Sequence, residues 1–532
     1  MTRHHGDVDE FVIETGTPPQ LAETDYSGPA AVVGRRSVNQ NPDPGAAQRK
    51  FRFGLMFQNP PLPEFRLADP QGLVDLGTSM EAGPDLGDHP TLRAGYAFFG
   101  QFLAHDLSFD QTQGVPAGGL TPQQISSGRS PTLDLDSLYG NGSAINPELY
   151  QSDGVKLKIG KTTKTFFGNA NQEFDNDLPR DATNSLNPRT PLIGDSRNDD
   201  NLAVAQTTVA FIKFHNVVAD RLAASGLSGN ALFEAARKKV VQHYQWIVLN
   251  DYLPKMVETD VLDDVKKNGP QHFRLDPGIE PFMPAEFAFA AFRFGHSMLR
   301  GHYEWNRVFH SGNPGQDRGE MAAPTLFRLF EFTGSNGNMQ GTSLTLPSNW
   351  IIDWTRFYDF TGFAGWTNNL QSNFSKRINT TLTPTPRVLL PMFAKIGQEQ
   401  YRTLAVLDLI RGNSLGLPTG QDVAKRLNVE PLSPDQLLQP PNQDAMKQYG
   451  FDQQTPLWYY ILKEAERLHN GQCLGPVGSR IVAETLFGLT RASRVSILKE
   501  DNWKPDLGQN RADEFGMTDL LIAADVVNPL GN

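Results

Sequence analysis

Four segments of this chain carry side chains whose types and spacing could do chemistry. In GYAFFGQFLAHDLSFD, Gln101 precedes His105 by four residues, so on a helix the two side chains share a face and can enter one pocket. An imidazole there can move protons. Asp106, turned by about 100° from His105 around the same helix, must serve something else. In GDSRNDDN, Arg197 stands just before an apolar helical pattern, with Asp199 and Asp200 beside it. A buried arginine next to a histidine can stabilise developing oxyanion charge. Helix capping by Asp195, Ser196 or Asn198 accounts for the same residues. In EFAFAAFRFGHSMLRGHYEWN, His296 follows a strongly aromatic face, and an apolar setting keeps an imidazole neutral, as a metal ligand must be. One histidine cannot build a four-ligand zinc site, but it can hold a haem iron, whose other ligands come from the porphyrin. A packed core histidine would leave the same signature. Last, SPTLDLDSLYG places Ser130, Thr132, Asp134 and Asp136 within seven residues. Alternating oxygen donors suit a hard cation such as calcium, and a solvated acidic turn would look similar.

The elements that must position these groups read as helices. NLAVAQTTVAFIKFHNVVADRLAA and NALFEAARKKVVQHYQWIVLNDYLPKMV have apolar residues at helical spacing, the second ending near Pro254. PAEFAFAAFRFGHSMLRGH, EQYRTLAVLDLIRGN, PLWYYILKEAERLHN and GSRIVAETLFGLTRASRVSIL read the same way. Residues 1–90 are rich in turn formers and read as an extended arm anchored by Phe51, Phe53, Leu55, Met56 and Phe57. The expectation is a mainly α chain: the arm at 1–90, then one large helical domain at 91–532 with few short strands. The 532 residues are enough for a large core. A net charge of −11 disfavours nucleic-acid and anionic-membrane partners. The single cysteine, Cys473, excludes an intrachain disulfide and CxxC knuckles. No stretch reads as a membrane span. The opening MTRHHGDVDEFVIETG has no apolar core, so the expected location is the cytoplasm, or the exterior by a route without a standard signal peptide.

In this order, the segments resemble the animal-type haem peroxidase superfamily, whose myeloperoxidase-like and peroxinectin-like enzymes have bacterial relatives. GQFLAHDLSFD is similar to its distal-histidine motif, LDLDSLYG to its calcium loop, and GDSRNDDN with KFHNVVADRL to its distal-arginine motif. LNDYLPKMV, FRFGHSML, LDLIRGNSLGLP and GPVGSRIVAETLFGL resemble its later motifs, the second of these carrying the proximal histidine. The resemblance runs from about Thr91 to Leu498. It implies a haem b enzyme that reduces hydrogen peroxide through a ferryl state and oxidises small donors. It further implies His105 as distal acid–base, Gln101 as its pocket neighbour, Arg197 as distal arginine and His296 as axial ligand. Asp408 and Arg411 fall on the proximal side of the cofactor. Calcium would be held by Asp106, Ser130, Asp134, Asp136 and the Thr132 carbonyl.

Departures from the family pattern narrow the expectation. Ala104 stands where mammalian members have an ester-forming aspartate, and Asp200 where they have a glutamate. At most one covalent haem ester, through Asp200, is therefore expected. Asn201 removes the methionine sulfonium link, and Asp408 replaces an asparagine beside the axial histidine. A carboxylate there makes the imidazole more electron-rich, which favours phenols, aromatic amines, iodide and bromide over chloride as donors. A cyclooxygenase-like fatty-acid dioxygenase is the alternative within enzymes, although Arg293 occupies the position of that branch's radical tyrosine. A peroxinectin-like adhesion protein is the non-enzymatic alternative.

Overall fold

A computed structural model describes residues 51–532 except 84, 112–118, 276–279, 312–322, 338, 340–342, 370, 385–402, 509–513 and 532. The architecture is mainly helical, as expected. At its centre lies a helix, α2 (Gly95–Leu107), with twelve of thirteen residues buried. Gly95 and Gly100 each cost that helix about 1 kcal/mol in propensity. Phe98, Phe99, Phe102 and Leu103 are fully buried, and each contributes roughly 1.5–3 kcal/mol. Packing therefore decides the conformation. Phe102 stacks on Phe211 with ring centroids 4.6 Å apart, which ties α2 to the long α3 (Leu202–Ala223). The side chain of Asn201 caps α3 by accepting a hydrogen bond from Val204 N. By length and hydropathy α3 could cross a membrane, but 83% of its apolar window is buried inside the protein. Helix α4 (Gly229–Trp246) packs along it and continues through a π-helical stretch, Ile247–Tyr252, to Met256.

The strands are short. β1 (Phe51–Gly54) pairs antiparallel with β3 (Ser126–Ser127) and parallel with β4 (Met283–Pro284); β2 (Asp88–Arg93) pairs antiparallel with β5 (Phe374–Lys376). Residues 1–50 of the expected arm lie outside the described residues. Phe53, Met56 and Phe57 are buried as anticipated, but residues 51–90 are not simply extended. They include a helix, α1 (Gln71–Met80), seated on α5 (Leu404–Ser414). The contact is close because Gly77 has no side chain: a Cβ there would lie 2.7 Å from Val406 N. Helices α6 (Leu457–His469) and α7 (Pro476–Ala492) complete the body.

The helix expected around His296 is corrected by the structure. Ala285–Ala288 forms a single helical turn and Ala290 breaks it at φ −138°, ψ −75°. The chain then proceeds as a 3₁₀ helix, Ala291–Met298. This tighter winding places residues three apart directly above one another.

Candidate active site

His105 lies near the C-terminal end of α2 and is fully buried. Its Nδ1 is 2.9 Å from Asn198 Oδ1. With an amide oxygen facing the ring, Nδ1 donates the proton and Nε2 keeps the lone pair, the form needed in a base. Nε2 in turn lies 4.0 Å from Asp200 Oδ2. Burial, followed by the positive charge of Arg197, brings the imidazole pKa down to about 4, so the ring is neutral at pH 7.

Arg197 sits in the 3₁₀ turn Ser196–Asp199, which Asp195 caps by accepting from Arg197 N. Its Nη2 donates to the carbonyls of His105 and Ser108 and to Asp195 Oδ2, at 2.7–3.0 Å. Its Nε donates to Asp195 Oδ1, and its guanidinium lies 4.3 Å from the Phe109 ring centroid. Carbonyls at a helix C-terminus need such donors, so Arg197 pins the end of the helix that carries His105. Arg129 reinforces the turn by donating to Asp195 Oδ2 and Gly194 O. Paired with both arginines, Asp195 is held far below the usual carboxylate range despite its burial. Gln101 shares the His105 face of α2 but accepts from Asn201 Nδ2 at 2.9 Å. Asn336 Nδ2 donates to both Asp200 O and Asp200 Oδ1.

On the second side, Asp408 of α5 accepts from two partners, His296 Nδ1 at 2.5 Å and Arg293 Nη1 at 2.6 Å. With Nδ1 donating, the His296 lone pair is on Nε2, as an axial ligand requires. His296 and Gly295 are the two partly exposed residues of the 3₁₀ helix. Among the described residues, no atom lies within 4 Å of where a Gly295 Cβ would stand. Arg411, expected at the cofactor, is fully buried and ion-pairs with Asp110, just beyond α2. It therefore straps α5 to the distal segment.

The acidic segment forms the expected cluster. Carboxylate oxygens of Asp106, Asp134 and Asp136 lie within 4.8 Å of one another. Leu135 between them adopts a left-handed conformation, φ 57°, costly for a side chain branched at Cγ. Its amide and that of Ser137 donate to Asp106. The Ser130 hydroxyl meets that of Thr132, which donates to Asp134. The Thr132 carbonyl accepts from Asp134 N at 3.0 Å. Burial raises all three carboxyl pKa values, and for Asp106 the charge of Asp134 adds to it, bringing the group to about 7. A divalent cation would relieve this repulsion, and the all-oxygen donor set fits calcium.

The structure thus brings His105, Arg197, Asp200 and Gln101 together, joins Asp408 to His296, and gathers the acidic cluster behind α2. Sequence reading missed Asn198 as the His105 partner, Arg293 as the Asp408 partner, and Arg129 and Asn336 altogether. Only Arg293 had a local signal, its i, i+3 spacing from His296. The donors fit a haem: a neutral imidazole oriented by a carboxylate at 296, and a neutral base at 105.

Comparison with known proteins agrees. The family model for animal haem peroxidases matches residues 110–495, starting just after α2. Heme peroxidase 2 of Caenorhabditis elegans is 27% identical over 273 residues, covering 42% of this chain and 37% of that protein. The chain spans well under half the length of the curated relatives it matches. Peroxidase A from Dictyostelium discoideum shares the fold, with a TM-score of 0.56 at 16% identity, over 87% of this chain and 91% of that one. A fatty acid alpha-dioxygenase from Arabidopsis thaliana shares it too, with a TM-score of 0.55 at 15% identity, over 88% and 75%. With most of its length matched by the family model, this chain belongs to the animal haem peroxidase family.

Proposed function

We propose that the chain is a haem-dependent peroxidase that reduces hydrogen peroxide and oxidises small aromatic donors, iodide or bromide, with calcium in the acidic loop. One observation carries this reading: two imidazoles that each hold Nδ1 against an acceptor, which places the lone pair on Nε2, suited to a base in one and an iron ligand in the other. His296, oriented by Asp408, would hold the haem, and Asp200 would supply at most one covalent ester. The bound haem supplies the redox chemistry that peroxide and donor require. His105 Nε2 accepts the proton of one peroxide oxygen and returns it to the other, a service typically worth about 10² to 10⁴-fold. Asn198 keeps the ring in the tautomer that can do so. The buried charge of Arg197 disfavours a lasting imidazolium, which returns the proton promptly, and it favours negative charge building nearby. Calcium on Asp106, with Asp134, Asp136, Ser130 and Thr132, would fix the helix one residue beyond His105.

The dioxygenase reading gains nothing from the shared fold, and Arg293, engaged with Asp408, offers no radical-forming phenol. The test is purified, haem-supplied protein assayed with peroxide plus a phenol or each halide, and with dioxygen plus a polyunsaturated fatty acid. A haem absorption band and peroxide-dependent phenol oxidation are expected, with chloride a poor donor. A colourless protein sinks the reading, and oxygen uptake without peroxide replaces it with the dioxygenase.

A further inference from the structure

Arg293 and His296 are separated by three residues on the 3₁₀ helix Ala291–Met298. That helix has three residues per turn, so the two side chains eclipse and reach the same carboxylate. On an α-helix they would diverge by about 60°. Asp408 divides its oxygens between them, Oδ2 to the imidazole and Oδ1 to the guanidinium. Both Asp408 and Arg293 are buried to 1% exposure or less. Arg293 is further fixed by donating from Nε to Ala288 O and by lying 5.3 Å from the Phe289 ring centroid. A second arginine near that ring, Arg411, ion-pairs with Asp110.

A carboxylate shared with a fixed cation is a weaker acceptor toward imidazole than one facing the ring alone, because the guanidinium draws off part of its charge at low local dielectric. We infer that Arg293 is a positioning residue that moderates the pull of Asp408 on the His296 N–H, and so sets how electron-rich the axial ligand is. The inference rests on the haem peroxidase reading. Asp408 by itself adds electron density to the ring through the shared hydrogen bond; Arg293 limits that gain and keeps the carboxylate aimed.

The test compares Arg293→Gln, Arg293→Lys and both in an Asp408→Asn background. The readouts are the ferric/ferrous midpoint potential and the iron–histidine stretching band of the reduced protein. Arg293→Gln should raise the band frequency and favour ferric protein by about tenfold at a fixed ambient potential. Arg293→Lys, which keeps the charge, should leave both near wild type. In the Asp408→Asn background, Arg293→Gln should no longer move the band. An equal effect of Gln and Lys would mark a purely structural role, and a band shift that persists without the carboxylate would show action through space; either overturns the inference. Unchanged potential and band in a haem-loaded, peroxide-active Arg293→Gln protein would overturn it while leaving the proposed function intact. Wild-type protein that binds no haem would overturn both.

Discussion

Two regions of the candidate site each present one imidazole, and they differ in what holds Nδ1. His105 meets a neutral amide oxygen, Asn198, inside a fully buried setting next to a cation. His296 meets an ionisable carboxylate, Asp408, whose charge is shared with Arg293. A neutral acceptor fixes the tautomer and raises the ring's basicity only slightly; a carboxylate fixes the tautomer and adds more electron density. On the proposed reading, the same residue type serves as a reversible proton carrier in one place and as a metal donor in the other. The surrounding hydrogen bonds, not the histidines, make the distinction.

Substitutions in either region test that contrast. His296→Ala should have the largest effect, abolishing the haem absorption band, because it removes the imidazole that Asp408 orients at the candidate site; an unchanged spectrum would remove the proximal assignment. His105→Ala should keep the band and lower the rate of reaction with peroxide by about 10² to 10⁴-fold in stopped-flow measurements. Loss of haem instead would exchange the roles of the two sides.

Buried histidines away from the pocket test whether desolvation alone gives the distal behaviour. His215 donates from Nε2 to Val155 O, accepts from Tyr139 at Nδ1, and is pushed down to about 4 by burial; His243 is lowered to about 4 for the same reason. Their stabilising contribution is complete above about pH 6.5 and is lost as pH falls toward 4, because the unfolded chain takes up protons first. For His215 this is on the order of 3 kcal/mol. Urea unfolding between pH 7 and 4 should show a shallower pH dependence for His215→Gln than for wild type. Parallel slopes would contradict the assignment.

Asn198→Ala should cost about tenfold in peroxide rate with donor KM unchanged, since His105 stays but its tautomer is no longer held. Smallest of all, calcium chelation should lower Tm by a few degrees, roughly the loss of 1 kcal/mol or more of bound-ion stabilisation. A Tm indifferent to both chelator and added calcium would leave the acidic cluster without its cation.

Much of the fold was legible in one dimension. The helical spacings of α4, α6 and α7 appear in the sequence because each buries an apolar face, and burial imposes a period. The stretch around His296 misled, since its aromatic residues satisfy a helical pattern while the backbone breaks at Ala290 and tightens to 3₁₀. Helix α1 was hidden because its interface depends on Gly77 lying against Val406, a contact across more than three hundred residues. In the site, Asp106 could be separated from His105 by helical geometry alone, and the acidic loop by its alternating donors.

What the sequence determined by itself is the set of reactive groups and the faces they occupy, because helical rotation is a local property. Which neighbour each group meets came only with the packed chain: Asn198 at His105, Arg293 at Asp408 and Asp195 at Arg197. The first two pairings join segments that are distant along the chain, and the low-dielectric packing that assigns them, and that lowers the proton affinity of His105, exists only once the core has closed.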